Sequence, residues 1–302
     1  MAASFVKISG SDFDHKFIGQ HQQNECHPTD AMKDGFRKNG FVITRDLFDA
    51  KEIEKLINAV KQSDHFWKAH FGLKDKAGLK FYQSLWSDPP GDDLFGLVAR
   101  TVKVAGIAEE MLDEGELYLY HQKVIMKQAQ TGGEVLWHQD YGYWYNNRCL
   151  FPHFVTCFLA LTKNDQENGG LEVLRGSHKA GRINHFIQAG QTSADLERVQ
   201  LIEKKLERIS CNLKAGDAIF FPGNLLHCSR PNISEFDRWN MVISYNTVAN
   251  SPDQEHYSAC YTAPMVKVPT DAVATCQRTD LDPRHYMDPK KNKNISVADD
   301  DE

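Results

Sequence analysis

Apolar residues at helical spacing mark the first third of the chain. The stretch 30–39 predicts a short helix that ends at Gly40, and the apolar residues after it predict a strand. Asp49 followed by Glu52 matches a capping box, with Asp in place of the usual Ser or Thr. A packed helix should follow, because apolar residues then recur three or four positions apart, at Ile53, Leu56, Ile57 and Val60.

A further helix is predicted over 94–112, and between it and the helix that follows Asp49 the pattern loses its period. Residues 64–93 are predicted to be irregular, with Pro89-Pro90-Gly91 as a loop signal. Both helices precede the strands in sequence, so we expect them to buttress the sheet.

From Glu116 onward the pattern is that of β-strands. Alternating or continuous apolar runs separated by Gly-rich turns predict strands at 117–126, from 135 onward, and at 154–161, 171–174, 218–221 and 239–248. A long insertion at 176–209 contains helical spacing over 194–208. Several short strands with long connections favour a mainly β fold with flanking helices (α+β), whose core is a double-stranded β-helix, the jelly roll of cupins.

The two ends of the chain differ from its centre. Residues 1–28 are polar and without a clear period, and residues 277–302 are polar and end in an acidic run. We therefore predict one domain over 29–276, with its helices as an N-terminal buttress, a polar segment before it, and a disordered acidic tail after it.

Composition narrows the classes of partner. The net charge of −6 gives no electrostatic reason to bind nucleic acid or an anionic membrane, and no apolar run is long enough to span a bilayer. The N-terminus lacks a secretory signal, and none of the seven cysteines forms a C-x-x-C pair. We expect a cytoplasmic protein, monomeric or homodimeric, that acts on a small molecule.

The segment Trp137-His138-Gln139-Asp140 carries the first chemical signal. Residues alternate sides along an extended segment, so His138 and Asp140 should point from the same face of a strand. With His227 from another strand they would form a 2-His-1-carboxylate triad, typical of non-haem iron(II) oxygenases. A His-x-Asp pair alone recurs by chance, and the alternative is an unrelated histidine beside an aspartate.

Arg238, eleven residues after His227, strengthens the metal interpretation. A planar guanidinium binds a carboxylate through two parallel hydrogen bonds, and the distal carboxylate of 2-oxoglutarate would supply that anion inside a barrel. The Ser229 hydroxyl is a further candidate for the same carboxylate. The alternative for Arg238 is a surface salt bridge with Glu235 or Asp237.

Several motifs together resemble those of the phytanoyl-CoA dioxygenase family, over about residues 30 to 250. They are Gly132-Gly133-Glu134, Trp137-His138-Gln139-Asp140, Asn168-Gly169-Gly170, Gly176-Ser177-His178, and His227-x-Ser229-x-x-Asn232 followed by Arg238-x-Asn240. The spacing after His227 is also similar to that of ectoine hydroxylases. The resemblance implies a jelly roll that uses Fe(II), 2-oxoglutarate and O2.

Carried over position by position, the resemblance assigns roles to individual residues. His138, Asp140 and His227 would hold iron, while Arg238 and Thr156 would hold the distal carboxylate. His121 takes the place of a glutamine of ectoine hydroxylases, which makes it a candidate cofactor-binding residue and argues, with Ile125 in place of an asparagine, against ectoine as the substrate. Trp144 would line the substrate side of the pocket.

Other residues near the motif have two interpretations. Tyr141, Tyr143 and Trp144 are candidates for a substrate-binding wall, although an aromatic cluster also packs in cores. Lys127 could reach an anion, but a lysine that faces solvent is the simpler expectation. We expect His185 to lie at the surface.

The predicted reaction is hydroxylation of an unactivated C–H bond of a small metabolite, with release of succinate and CO2. One alternative is the same chemistry on an acyl-CoA, which would call for basic residues at the pocket mouth; the candidates are Lys163, Arg175, Lys179 and Arg182. Others are a non-catalytic jelly-roll binding protein, or a cupin-like zinc or manganese enzyme, which would not need Arg238.

Overall fold

Two facing β-sheets form the centre of the protein. The computed structural model describes residues 12–16, 26–188, 190–252 and 261–288. Its strands are β1 Asp14–Lys16, β2 Val42–Arg45, β3 Phe71–Lys74, β4 Lys80–Trp86, β5 Leu117–Lys127, β6 Val135–His138, β7 Phe154–Ala160, β8 Leu171–Leu174, β9 His185–Gln188, β10 Gln191–Ala194, β11 Arg208–Ser210, β12 Ala218–Pro222, β13 His227–Ser229 and β14 Arg238–Thr247.

The sheet topology is that of a jelly roll. The major sheet has eight strands in the order β1-β2-β12-β7-β14-β5-β4-β3, and the minor sheet has four in the order β11-β8-β13-β6. A core that includes Phe158, Ile219 and Phe221 of the major sheet and Leu171 and Val173 of the minor sheet fills the space between them. The predicted mainly β fold with a jelly-roll core is confirmed.

Helices cover the outer face of the major sheet. The helices of this layer are α1 Asp30–Asn39, α2 Ala50–Gln62, α3 Asp64–Lys68, α4 Leu94–Arg100, α5 Ile107–Leu112 and α8 Ala272–Thr275. Two further helices lie elsewhere: α6 Asp140–Trp144 follows β6 beside the pocket, and α7 Leu196–Glu203 packs against Leu174 of β8. Leu56 and Phe95 from the outer layer pack against the outward side chains of Val124, Met241 and Ile243. Helices α2 and α4 therefore pack on this face of the sheet.

The ends of the first two helices agree with the sequence signals. Gly40 ends α1 with φ of 82°, a left-handed conformation that glycine adopts without strain. At the start of α2, the Asp49 side chain accepts from the Glu52 amide, and the Glu52 carboxylate accepts from the Asp49 amide, so the capping box is complete.

Three predicted boundaries are wrong. Residues 64–93 are not irregular, because they contain α3, β3 and β4. The helix predicted over 94–112 breaks at Thr101, whose hydroxyl donates to the Pro269 carbonyl while Val102 and Arg100 pair with Val268; a π-helical segment, Val102–Gly106, then leads into α5. The helix predicted over 194–208 ends at Glu203, and Arg208 starts β11.

The two ends of the chain also differ from expectation where they are described. Residues 277–288 were predicted to be disordered, yet Arg284 forms a buried salt bridge with Asp93, and Tyr286 pairs with Trp86. Near the N-terminus, Phe13 is buried in the core between the sheets. The rest of the predicted tail, 289–302, lies outside the described residues, and the boundaries 29 and 276 remain predictions.

No helix in the described ranges is both long and apolar enough to cross a bilayer. The cytoplasmic location and the monomeric or homodimeric state remain predictions.

Candidate active site

Three side chains distant in sequence converge in the pocket between the sheets. One ligand atom from each of His138, Asp140 and His227 lies within 4.8 Å of the others. The Asp140 Oδ1 is 3.9 Å from Nε2 of His138 and 4.0 Å from Nε2 of His227. The two imidazole ring centres are 4.0 Å apart. Two neutral imidazoles and one carboxylate are a ligand set suited to Fe(II) that leaves positions open for other ligands.

The minor sheet brings the two histidines together. His138 on β6 and His227 on β13 are register partners in adjacent antiparallel strands. The sequence analysis placed Asp140 on the same strand as His138, but Asp140 is the first residue of α6. Its side chain still points toward the two histidines, because Gln139, which separates Asp140 from His138, is extended, with φ of −113° and ψ of 133°.

The backbone between the first two ligands is held by contacts that the sequence did not reveal. The fully buried Gln139 amide donates to the carbonyls of Gly181 and Asn224 and accepts from the Ile183 amide. The Gln139 backbone amide donates to Nε2 of His185 at 2.8 Å. His185 was expected at the surface and instead supports the metal motif.

Hydrogen bonds prepare both imidazoles to bind a metal. Nδ1 of His138 is 2.8 Å from the Leu136 carbonyl, and Nδ1 of His227 is 3.0 Å from the Leu225 carbonyl. A proton on each Nδ1 leaves each Nε2 with a free lone pair. Burial lowers the pKa of both histidines, which favours the neutral form that ligates.

The carboxylate is held in its charged form. Burial alone would raise the pKa of Asp140, but the nearby His227, Lys123 and His138 outweigh it, and the pKa lies below the usual value. Hydroxyls of Thr156 at 3.2 Å and Tyr143 at 3.3 Å donate to the two oxygens of this carboxylate.

Arg238 is buried at the start of β14, with 1% of its surface exposed. Burial lowers its pKa to about 9, so the guanidinium is still charged at neutral pH. It donates to the Gly169 carbonyl, and its Nε lies 3.0 Å from the Asn240 amide oxygen in the orientation that satisfies that amide. No carboxylate pairs with it in the described part of the chain, so the surface salt bridge considered above is excluded for those residues.

A second buried cation lies beside Arg238. Lys127, its register partner on β5, is fully buried rather than facing solvent, which corrects the sequence interpretation. Its Nζ donates to the Ser229 hydroxyl at 2.8 Å and to the Arg230 carbonyl. Burial and the charge of Arg238 lower the pKa of Lys127 well below its usual value. Ser229 and Arg238 both line the pocket.

The pocket contains about 1150 Å3 of space, part of it open to solvent. Along β5, His121, Lys123 and Ile125 all point into it, as the period of two requires. Nε2 of His121 is buried without a hydrogen-bond partner among the described residues. Lys123 forms no hydrogen bond or salt bridge with any described residue, although the Asp140 carboxylate is close enough to attract its charge. Sequence reasoning missed Lys123, because its direction depends on the strand register.

Two of the predicted roles are not supported by position. Tyr141 packs away from the pocket, where its hydroxyl donates to the Leu150 carbonyl at 2.6 Å. Thr156 contacts Asp140, and its register partner on the neighbouring strand β14 is Ser244. Ser244 is six residues from Arg238, so Thr156 and Arg238 are roughly 20 Å apart along the strand direction. Thr156 therefore lies at the end of the pocket that holds His138, Asp140 and His227, the metal end, and not beside Arg238. Trp144 and Tyr143 do line the pocket.

Comparisons with known proteins place this geometry in a family. The chain is 32% identical over 178 residues to an L-proline trans-4-hydroxylase of Streptomyces griseoviridis. This alignment covers 53% of this chain and 66% of the relative, which is just under two thirds of the relative's length. It is 26% identical over 238 residues to an ectoine dioxygenase of Stutzerimonas stutzeri, covering 72% of this chain and 76% of that one.

The fold also matches solved structures. The crystal structure of EctD from S. alaskensis in its apo form superposes with a TM-score of 0.66 at 20% identity, over 80% of this chain and 87% of that one. Residues 36–239 match the family described as phytanoyl-CoA dioxygenase (PhyH), which confirms the resemblance seen in the motifs. With two thirds of its length matched, the chain belongs to the phytanoyl-CoA dioxygenase family.

Proposed function

We propose that this protein is an Fe(II)- and 2-oxoglutarate-dependent dioxygenase that hydroxylates an unactivated C–H bond of a small organic metabolite. The observation that carries the proposal is the convergence of His138, Asp140 and His227 in a pocket that also holds the buried charge of Arg238. Relatives named L-proline trans-4-hydroxylase and ectoine dioxygenase support this reaction class, which is the class predicted from the sequence. EctD, a structural neighbour, was crystallised with 2-oxoglutarate and 5-hydroxyectoine.

The donor set fits the expected cofactors. His138, Asp140 and His227 would hold Fe(II), and Arg238 with Ser229 would hold the distal carboxylate of 2-oxoglutarate. When bound, Fe(II) and 2-oxoglutarate together activate dioxygen, and the reaction yields succinate, CO2 and a hydroxylated product. Thr156 and Tyr143 would keep the Asp140 carboxylate oriented, and His121, with its unpartnered nitrogen, would donate to or accept from a ligand near the metal.

Lys123 indicates what the substrate carries. An ammonium group that faces the pocket without a salt bridge is costly unless a ligand neutralises it. Since Arg238 would be neutralised by 2-oxoglutarate, Lys123 is available for the other reactant. We therefore favour a small substrate that carries an anionic group.

The acyl-CoA alternative has less support. Its phosphates would need several free basic residues, but of the four candidates only Lys179 is exposed without an ion pair among the described contacts. Lys163 pairs with Asp165, and Arg175 pairs with Asp12 and Glu207. The guanidinium of Arg182 lies over the Tyr145 ring. The small-metabolite substrate is the better proposal.

Anaerobic loading with Fe(II) and 2-oxoglutarate tests the proposal. The loaded protein should develop a weak visible charge-transfer band, and under air it should release succinate when a substrate is present. Asp140→Ala should lose both signals, whereas Asp34→Ala, at an exposed aspartate of α1, should keep them. If the unaltered protein shows no charge-transfer band and releases no succinate, the alternative of a non-catalytic binding protein is favoured.

The substrate class is tested by comparing free acids with thioesters. Succinate release should be stimulated by small amino or imino acids, including L-proline, and not by acyl-CoA esters of the same acids. Stimulation by the thioesters alone would show that the substrate is an acyl-CoA and not a small free acid.

A further inference from the structure

The C-terminal segment 281–288 lies beyond the part of the chain that matches the family, yet it reaches the active-site pocket. Its polar contacts with the start of α4 fix its course. Asp93 caps α4 and also accepts from the Asp282 amide at 2.8 Å and from the Arg284 guanidinium. The side chains of Asp93 and Arg284 are 0% and 6% exposed, so this is a buried ion pair. Such a pair, with several hydrogen bonds, orients the segment.

The segment then runs along the edge of β4. Strand β3 pairs with β4 only as far as Gln83, which leaves the rest of that edge unpaired by β3. Tyr286 forms an antiparallel bridge with Trp86, and the Met287 amide donates to the Leu85 carbonyl at 2.8 Å. The segment therefore continues the sheet where β3 stops.

Strand geometry decides which way each side chain points. Successive residues of an extended segment face opposite sides. The Tyr286 ring lies in the outer helical layer, 5.8 Å from Trp86 and 6.3 Å from Phe66 between ring centres. Met287 therefore faces inward, and it lines the pocket together with Leu73, Phe81 and Leu85.

We propose that Met287 is a specificity-determining residue, which closes the apolar side of the substrate pocket and selects substrates whose hydrocarbon part fits against it. This inference rests on the proposed function. The side chains of Leu73, Phe81, Leu85 and Met287 give the pocket an apolar wall, and Lys123 lies next to it, since Lys123 is the register partner of Leu85. The matching substrate has an anionic group beside an apolar body. An unbranched, flexible methionine suits such a wall, because it fills irregular space.

The first test measures where Met287 lies. The full-length protein is labelled with 13C at its methionine methyl groups, and Mn(II) is added as a paramagnetic probe. The Met287 signal, assigned by its loss in Met287→Leu, should broaden far more than those of Met32 and Met111, which lie in the helical layer. Asp140→Ala, which removes a metal ligand, should abolish the broadening.

The second test measures selectivity. The probes are two series of acids graded by size, the cyclic imino acids from azetidine-2-carboxylic acid to pipecolic acid and the unbranched amino acids from alanine to norleucine. Met287→Ala should shift the ratio of affinities toward the larger members by about tenfold, as one methylene in an apolar pocket can, with the Kd for 2-oxoglutarate unchanged. His285→Ala is the matched control, because that neighbouring side chain is 94% exposed.

The outcomes separate the two proposals. An unbroadened Met287 signal in protein that binds Mn(II), or a size preference that is the same in Met287→Ala, overturns the specificity role. Should no acid bind, the Mn(II) experiment decides alone. Equal signals in the unaltered protein and in Asp140→Ala would show that the metal does not bind at the triad, which overturns the proposed function instead.

Discussion

Arg238→Ala isolates the contribution of one buried charge. In the proposed complex, the Arg238 guanidinium, 1% exposed and charged at neutral pH, binds the distal carboxylate of 2-oxoglutarate away from water. Removing one partner of a buried charge pair costs about 2–5 kcal/mol. Since about 1.4 kcal/mol corresponds to a tenfold change, the Kd for 2-oxoglutarate should rise roughly 30- to 4,000-fold. The kcat at saturating 2-oxoglutarate should change much less, because Arg238 does not touch the metal ligands in the described contacts.

Calorimetric titration of 2-oxoglutarate into protein loaded with Mn(II), which cannot turn over, gives the Kd directly. Arg238→Lys keeps the charge but loses the two-pronged geometry, so its Kd should lie between those of the other two proteins. Arg37→Ala serves as the control, since that arginine is 63% exposed on α1. Thermal unfolding must accompany the titration, because the alanine variant leaves the Gly169 carbonyl without its donor, at a cost of about 1–3 kcal/mol. A folded Arg238→Ala protein with a Kd close to that of the unaltered chain would refute the assignment.

Three further predictions concern the scaffold. Gly142→Ala should destabilise the protein by about 1–3 kcal/mol and weaken Mn(II) binding, because the new methyl group would collide with the His185 ring, and His185→Ala in the same chain should recover stability in thermal unfolding. Glu52→Ala should cost about 3–5 kcal/mol in denaturant unfolding, since it leaves Lys103 buried and unpaired; a second change, Lys103→Met, should restore part of the loss, and equal stability of the two variants would contradict this. Burial lowers the pKa of His70 from 6.5 to about 4, so its contribution to stability is complete above pH 6.5 and is lost as the pH falls toward 4. His70→Phe should flatten the decline of the unfolding free energy over that window, and an unchanged slope would count against it.

Local signals in the sequence were sufficient for the features that depend on a few neighbouring residues. The ends of α1 and α2 follow from Gly40 and from the Asp49–Glu52 capping box, both of which act within one helical turn. The triad could be predicted because iron requires particular ligands, which restricts the residues that can supply them. The contact between His138 and His227 then follows from the pairing of β6 with β13.

Features that depend on pairing between distant segments could not be predicted in the same way. Lys127 looks like a surface lysine until β5 pairs with β14 and places it opposite Arg238. His185 supports Gln139 only because the β9–β10 hairpin folds back onto the motif. Thr156 was assigned by resemblance alone, and the register of β7 moves it to the metal end. Met287 was assigned to a disordered tail because its neighbours are polar, although Arg284 forms a salt bridge with Asp93 and His285 contacts Asp88.

The strand order of the major sheet has a consequence for how the protein is made. Val42 of β2 pairs with Phe220 of β12, so an early strand must wait for a late one. At the usual pace of synthesis this delay is roughly 10–35 s, during which the growing polypeptide has one exposed strand edge and an incomplete core. Chains released before residue 222 would lack the central pairing and should be prone to aggregation, so newly synthesised copies would benefit from chaperones that shield such edges on the ribosome.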